Sequence, residues 1–298
     1  MDHSNQPIIS PAIKWGWLRA VLFMIAATMV SGITSLIGLL LIVIVFNFDF
    51  DLSLLFGELG EIMEIFGPFN MALISLFQLL GMILILWLFR KFIDKRSIMS
   101  LGLNFKPFRH DLLVGLLFGA AFILIGFSIL QFCGYVNIIE IQFPVINLFN
   151  YLILFTIVSL NEEIMVRGYM LNNCIASMNK YTALVFISLC FMIMHIVNAN
   201  ISILGMINLF LAGLVLGIYY IHKSNLWFSI GLHLTWNFFQ GPVFGFEVSG
   251  FNTKSIITQE VQGSSIITGG QFGFEGSIIA TILLLLMILL VHLRAKRI

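Results

Sequence analysis

The chain has 298 residues, of which 60% are hydrophobic and 10% are charged, and its formal net charge is +1. An ordinary soluble domain has about 25% charged residues, so this composition excludes one and indicates a polytopic protein of the lipid bilayer. The sequence has no long basic tract, which argues against nucleic acid as a partner.

Apolar stretches of about 20 residues predict membrane-spanning helices. The sequence contains eight: Leu18–Phe46, Met71–Phe89, Leu112–Phe132, Asn147–Leu171, Tyr181–Val197, Ile203–Ile221, Leu226–Phe246 and Ser277–Leu293. Polar residues interrupt the fourth and the seventh. The predicted fold is therefore an all-α, polytopic integral membrane helical bundle of about eight transmembrane helices.

Charge placement predicts the orientation of this bundle. Of the fifteen Lys and Arg residues, all except Arg167 and Lys254 fall at helix ends that are cytoplasmic if the N-terminus is inside. The opposite side is acidic and carries Asp49, Asp51, Glu58, Glu61, Glu64, Glu140, Glu247, Glu260 and Glu275. Both termini are therefore predicted to be cytoplasmic. Residues 247–276 on the outer side are rich in Gly, Ser and Thr, which predicts a loop.

Two glycine pairs at a spacing of four lie in the third and sixth predicted spans. They are Gly115 with Gly119 and Gly213 with Gly217. Such pairs permit close contact between membrane helices. Glycine is also common in membrane helices, so the pattern alone does not decide between the two interpretations.

The fourth predicted span contains three charged residues, Glu162, Glu163 and Arg167. Each charge at the centre of a membrane helix costs roughly 2.5–3.5 kcal/mol, so this segment must face a protein interior or a wet cavity. Adjacent residues on a helix point about 100° apart, and Glu163 lies four residues before Arg167, the favoured order for an ion pair. We therefore expect a structural Glu163–Arg167 pair and a free, chemically active Glu162. A structural role for all three charges is the alternative.

Two later spans also carry polar residues at helical spacing. Phe191 lies one turn before His195, and His233 lies one turn before Asn237. A lone histidine in a membrane helix is often only hydrogen-bonded to a neighbour. Two polar groups one turn apart among apolar residues each need a partner in lipid, which makes His233 and Asn237 stronger candidates for function.

These residues form the patterns EExxxR, FxxxH and HxxxN in this order, which resembles the CPBP family of intramembrane proteases. That family includes type II CAAX prenyl endopeptidases and bacterial bacteriocin-immunity membrane proteins. The resemblance covers roughly residues 97–276 and extends to Met-Ser-Leu-Gly-Leu at 99–103 and to residues 268–276. It implies one membrane domain overall, in which residues 1–110 supply two helices and a cytoplasmic loop. Residues 111–298 would form the protease core with helices 3–8.

The resemblance implies hydrolysis of a peptide bond by water without a covalent intermediate. Carried over to this sequence, Glu162 and His195 would activate the water, and His233 and Asn237 would stabilise the oxyanion. Glu163, Arg167 and Phe191 would support them. The family has also been described as metalloproteases, so zinc held by Glu162, His195 and His233 stays an open cofactor hypothesis.

The expected substrate is a peptide or a membrane protein, with prenylated tails as one option that the family name suggests. The expected location is a bacterial plasma membrane. A non-catalytic immunity or membrane scaffold protein is the main alternative. A proton-coupled transporter has less support because the sequence shows no internal repeat.

The depths of Glu162 and His195 in the membrane decide whether both can belong to one active site. At about 1.5 Å per residue, straight spans would put Glu162 in the inner third of the membrane and His195 towards the outside. The two side chains can therefore meet only if a helix is tilted or a segment is irregular. We predict such an irregular segment at residues 172–180. A separation of Glu162 and His195 above about 10 Å would exclude a shared site.

Overall fold

The computed structural model describes residues 10–46 and 59–297. Three of the predicted outer acidic residues, Asp49, Asp51 and Glu58, lie outside the described residues, as do the side chains of Glu61 and Glu64. The helices are α1 (Gly16–Phe46), α2 (Leu59–Leu88), α3 (Arg109–Phe132), α4 (Val145–Glu163), α5 (Asn172–Ile175), α6 (Lys180–Met194), α7 (Ile203–Lys223), α8 (Trp227–Phe238), α9 (Ser265–Thr268) and α10 (Ile278–Arg297). The strands are β1 (Val136–Ile141) and β2 (Ile257–Val261).

The all-α, polytopic membrane fold is confirmed. Within the described residues, six helical segments are long and apolar enough to cross a membrane: Gly16–Phe46, Ile65–Asp94, Ile98–Phe132, Val145–Ile175, Ile203–Lys223 and Ile278–Lys296.

The fifth and seventh predicted spans are shorter than expected. Helix α6 has 15 residues, about 22 Å, and ends at Met194, where His195 leaves the helical conformation. Helix α8 has 12 residues and continues into a π-helical turn, Phe239–Val243, that contains Pro242. Both lie below the length of about 20 residues that a span needs, because a turn ends each of them early.

The loop prediction for residues 247–276 is wrong in part. This stretch contains β2, which pairs antiparallel with β1 between α3 and α4, and it also contains the short helix α9. Three of the five residues in Ile257–Val261 are β-branched, which favours a strand. A strand needs a distant partner, however, and local composition does not reveal one.

Small residues let α3 and α8 approach closely. A Cβ atom added to Gly115 would lie 2.1 Å from the Phe228 carbonyl oxygen, and one added to Gly119 would lie 2.4 Å from the Leu232 carbonyl oxygen. On α7, a Cβ at Gly213 would lie 2.9 Å from the Ser188 side chain of α6. These glycines therefore serve close helix packing, as one of the two sequence interpretations held.

A buried ionic cluster joins one end of α1 to one end of α2. The Asp94 carboxylate follows α2 in a π-helical turn and accepts hydrogen bonds from the guanidinium groups of Arg19 and Arg90. All three side chains are buried. Buried charges are tolerated when they are paired, so this cluster fixes the N-terminal helix pair.

We expect Gly119→Val to destabilise the protein by about 1–3 kcal/mol or more, because the added atoms would overlap the backbone of α8. Thermal unfolding in detergent would measure the effect. Gly32→Val is the matched control, since a Cβ at Gly32 meets nothing within 4 Å. Equal melting temperatures for the two variants would contradict the close α3–α8 packing.

Candidate active site

Four polar residues of the three motifs line one cavity of about 660 Å³. Its walls come from α1, α2, α4, α6, α7 and α8, and from loop residues before α10. Glu162, His195, His233 and Asn237 all face this cavity. The tertiary structure thus brings together groups that are up to 75 residues apart in sequence.

The two adjacent glutamates have different surroundings. Helix α4 ends at Glu163 and continues as a π-helical segment, Ile164–Leu171. The Glu162 side chain is 22% exposed towards the cavity, whereas the Glu163 side chain is fully buried. Arg167 Nη1 donates to Glu163 Oε1 at 2.9 Å, as the sequence spacing predicted. The cluster therefore separates into a buried pair and one carboxylate in the cavity.

Glu163 has a second partner that the sequence did not indicate. His233 Nδ1 lies 2.9 Å from the same oxygen, Glu163 Oε1, and a carboxylate oxygen only accepts, so Nδ1–H is the donor. Arg167 also donates to the Gly213 carbonyl oxygen at 3.3 Å, and its guanidinium lies 4.3 Å from the Phe191 ring centre. One ion pair in α4 and its extension thus contacts α6, α7 and α8.

His195 is oriented by its own helix. Its Nδ1 lies 2.8 Å from the Phe191 carbonyl oxygen, so Nδ1 carries the proton and donates it. The Phe191 ring packs against the imidazole at 4.6 Å between centres. The other ring nitrogen, Nε2, lies 3.8 Å from Glu162 Oε2.

His233 presents the same nitrogen to the cavity. Its Nε2 lies 3.9 Å from Glu162 Oε2, while Nδ1 is held by Glu163. Among the described residues, Glu162 Oε2 has no hydrogen-bond partner. Asn237, one turn after His233, is 8% exposed and lines the same cavity. A carboxylate oxygen and two imidazole nitrogens therefore converge from three helices.

The distance condition on a shared site is met, since Glu162 and His195 lie within 3.8 Å of each other. The irregular segment that allows Glu162 and His195 to approach each other begins earlier in the chain than predicted. The π-helical segment Ile164–Leu171 follows Glu163 directly, and α5 ends at Ile175 before a turn leads into α6. Extra backbone per turn in a π-helix shifts the register of the following residues, and such segments are frequent at functional sites.

Glu275 is a site residue that the sequence analysis missed. It had been placed only among the outer acidic residues, yet its side chain lines the cavity with Glu162 and is 8% exposed. Ser249 Oγ donates to Glu275 Oε1 at 2.7 Å. Burial raises the pKa of the Glu275 carboxyl, against the lowering effect of Ser249 and of nearby His195 and His233. The acidic residue within the glycine-rich stretch 268–276 was the one available signal.

A carboxylate and two imidazoles form a donor set that zinc accepts. Glu162 Oε2 lies 3.8 and 3.9 Å from the two Nε2 atoms, a few tenths of an ångström wider than the spacing of ligand atoms around tetrahedral zinc. Across the described part of the chain, no group of three or more His, Cys, Asp or Glu side chains is arranged to hold a metal ion.

Comparison with known proteins identifies one family. Residues 144–239 match the family model described as Type II CAAX prenyl endopeptidase Rce1-like. This segment contains all three motifs, so the family resemblance is confirmed there, and it supports a protease embedded in the membrane. No curated protein and no solved structure matches the chain.

The two adjacent glutamates should respond differently to the same substitution. Glu163→Gln would leave Arg167 buried without its counter-charge, so we expect a loss of about 3–5 kcal/mol in the free energy of unfolding. Glu162→Gln should leave stability nearly unchanged, because its Oε2 has no partner to lose. Thermal unfolding of both variants in detergent measures this. Equal destabilisation by the two would contradict the division of roles.

The raised pKa of Glu275 predicts a pH-dependent stability. The folded protein retains a proton that the unfolded chain releases above about pH 4.5, so stability falls as the pH rises towards the folded-state pKa. Glu275→Gln keeps an acceptor for Ser249 and cannot titrate. Its melting temperature should match that of the wild type below about pH 4.5 and exceed it as the pH rises above that value, whereas the exposed control Glu260→Gln should show no such pH-dependent gain. A pH-independent difference would refute this.

Proposed function

We propose that this protein is an intramembrane endopeptidase that hydrolyses a peptide bond with a water molecule activated by Glu162 and His195. The observation that carries the proposal is the approach of His195 Nε2 and His233 Nε2 to within 3.8 and 3.9 Å of Glu162 Oε2. The family match over residues 144–239 supports peptide hydrolysis as the reaction class.

Glu162 and His195 act on the water. Two acceptor atoms 3.8 Å apart can both lie about 2.8 Å from one water oxygen, so a single water can donate one proton to each. His195 has a lone pair on Nε2 because Phe191 holds the Nδ1 proton. Glu162 accepts a proton as general base, and the resulting hydroxide adds to the carbonyl carbon of the scissile bond.

His233 and Asn237 face the oxyanion that forms on the carbonyl oxygen. The Asn237 amide group can donate in either protonation state of the site. His233 donates Nδ1–H to Glu163, so it can donate to the oxyanion only when Nε2 also carries a proton. Fixed donors of this kind stabilise the developing negative charge because they need no reorientation during the reaction.

Collapse of the tetrahedral intermediate completes the reaction. The carbon–nitrogen bond breaks, and the proton held by Glu162 passes to the leaving nitrogen. The hydroxyl of the water thus ends on the acyl carbon and one hydrogen ends on the amine, and Glu162 returns to its carboxylate form. No covalent intermediate is needed, and no step passes through a metal ion.

We propose that the chain forms one membrane domain with both termini in the cytoplasm of a bacterial cell. Residues 111–298 carry the catalytic groups, and α1 and α2 complete the cavity wall with residues such as Ser31 and Gln78. The substrate is a peptide or a segment of a membrane protein, and prenylated tails are within this class. A cavity at the centre of a helical bundle gives such a segment access to water.

Cleavage of a peptide library in detergent tests the proposed activity. Glu162→Gln should reduce cleavage by about 10²–10⁴-fold, the range for loss of a general base. Asn237→Ala should reduce it by about 10²–10³-fold, as expected for one oxyanion donor. His110→Gln, at an exposed position on α3, is the control and should cleave like the wild type. Identical products from Glu162→Gln and wild type would end the proposal.

A further inference from the structure

Glu275 is a buried carboxylate in the catalytic cavity that the proposed hydrolysis does not use. Its side chain lines the cavity and is 8% exposed. Among the described Lys, Arg and His residues, none forms an ion pair with it. A carboxylate in such a place is costly unless a cation or a set of hydrogen bonds compensates for its burial. Ser249 supplies hydrogen bonds from its hydroxyl group and from its backbone, so what the described residues do not supply is a cation.

The backbone beneath Glu275 is held rigidly. Asn208 Nδ2 on α7 donates to the carbonyl oxygens of Glu275 and Ser277 at 2.7 and 2.8 Å. Gly273, two residues before Glu275, has a φ of +98°, and a Cβ there would lie 1.8 Å from the Glu247 carbonyl oxygen. Only glycine fits such a position. The chain therefore fixes where the Glu275 carboxylate points rather than leaving it on a mobile loop.

The charges that face the cavity do not balance. Arg167 is neutralised by Glu163, and the proposed hydrolysis uses His195 as an acceptor at Nε2. Two further carboxylates, Glu162 and Glu275, line the same space. Even a protonated His233, which already bonds Glu163, would offset only one of them. A cationic side chain that enters this cavity would favour the ionised form of Glu275, and the low dielectric constant of the surroundings would strengthen their attraction.

We propose that Glu275 forms a subsite for a Lys or Arg side chain of the substrate, close to the scissile bond. This inference rests on the proposed endopeptidase function. Ser249 holds Oε1 of Glu275 and so orients the carboxylate towards the cation. Val248 and Phe251, next to Ser249 in the chain, line the same cavity and provide apolar surface for the methylene stem. A long basic side chain can make both contacts because it has an apolar stem and a charged end.

Glu275→Gln is a near-isosteric test of the subsite. The amide keeps an acceptor for Ser249 but removes the negative charge, so it separates charge recognition from support of the fold. A peptide library prepared by cleaving a lysate after acidic residues retains internal Lys and Arg. Mass spectrometry of the products from wild type, Glu162→Gln, Glu275→Gln and the exposed control Glu260→Gln gives the preference at each position around the cleaved bond.

The best-cleaved sequence is then synthesised with Lys or with acetyl-lysine at the preferred position. The wild type should cleave the Lys peptide at least about tenfold more efficiently, because a charged hydrogen bond is lost on acetylation. Glu275→Gln should lose this preference to within about threefold, mainly through slower cleavage of the Lys peptide. Glu260→Gln should retain the preference in full.

The possible outcomes test the subsite and the endopeptidase function separately. Cleavage that depends on Glu162 but shows no basic preference, or a preference that survives Glu275→Gln, would overturn the subsite and leave the endopeptidase intact. The absence of Glu162-dependent cleavage would remove the proposed function and the subsite together. If Glu275→Gln does not fold, Ser249→Ala replaces it, because loss of the orienting hydrogen bond should reduce the Lys preference. An unchanged preference in that variant would equally refute the subsite.

Discussion

The rest of the site depends on one buried carboxylate, Glu163. Its Oε1 accepts from Arg167 and from His233, both at 2.9 Å, although the side chain is fully buried. In this buried position, Arg167 and His233 both depend on the same carboxylate oxygen as their acceptor. The same carboxylate therefore neutralises the guanidinium, fixes the ring orientation of His233 and joins α8 to the end of α4.

Similar constraints give the two histidines one common orientation. Each uses Nδ1 to donate within the protein, His195 to a backbone carbonyl and His233 to Glu163, and each presents Nε2 to Glu162. The second partner of a functional histidine commonly sets which ring nitrogen is available. The proposed chemistry therefore rests on contacts that lie outside the cavity itself.

The walls of the cavity come from two different parts of the chain. The matched family segment, residues 144–239, supplies Glu162, His195, His233 and Asn237. Helices α1 and α2, with Ser249 and Glu275, lie outside that segment and complete the cavity. The groups that we propose to cleave the bond and the group that we propose to bind a basic side chain are thus separated along the sequence.

The sequence by itself determined the membrane class, the three polar motifs and the Glu163–Arg167 pair. Each of these depends on composition or on contacts within about one helical turn, which local spacing specifies. Tertiary structure decided the rest. The pairing of β1 with β2, the donation from His233 to Glu163 and the entry of Glu275 into the cavity join residues that are distant in sequence. Helices α6 and α8 end early because turns follow them, and the hydropathy of the sequence does not show where those turns lie. Burial in a low-dielectric interior then makes those long-range contacts obligatory, which is why only the folded chain reveals them.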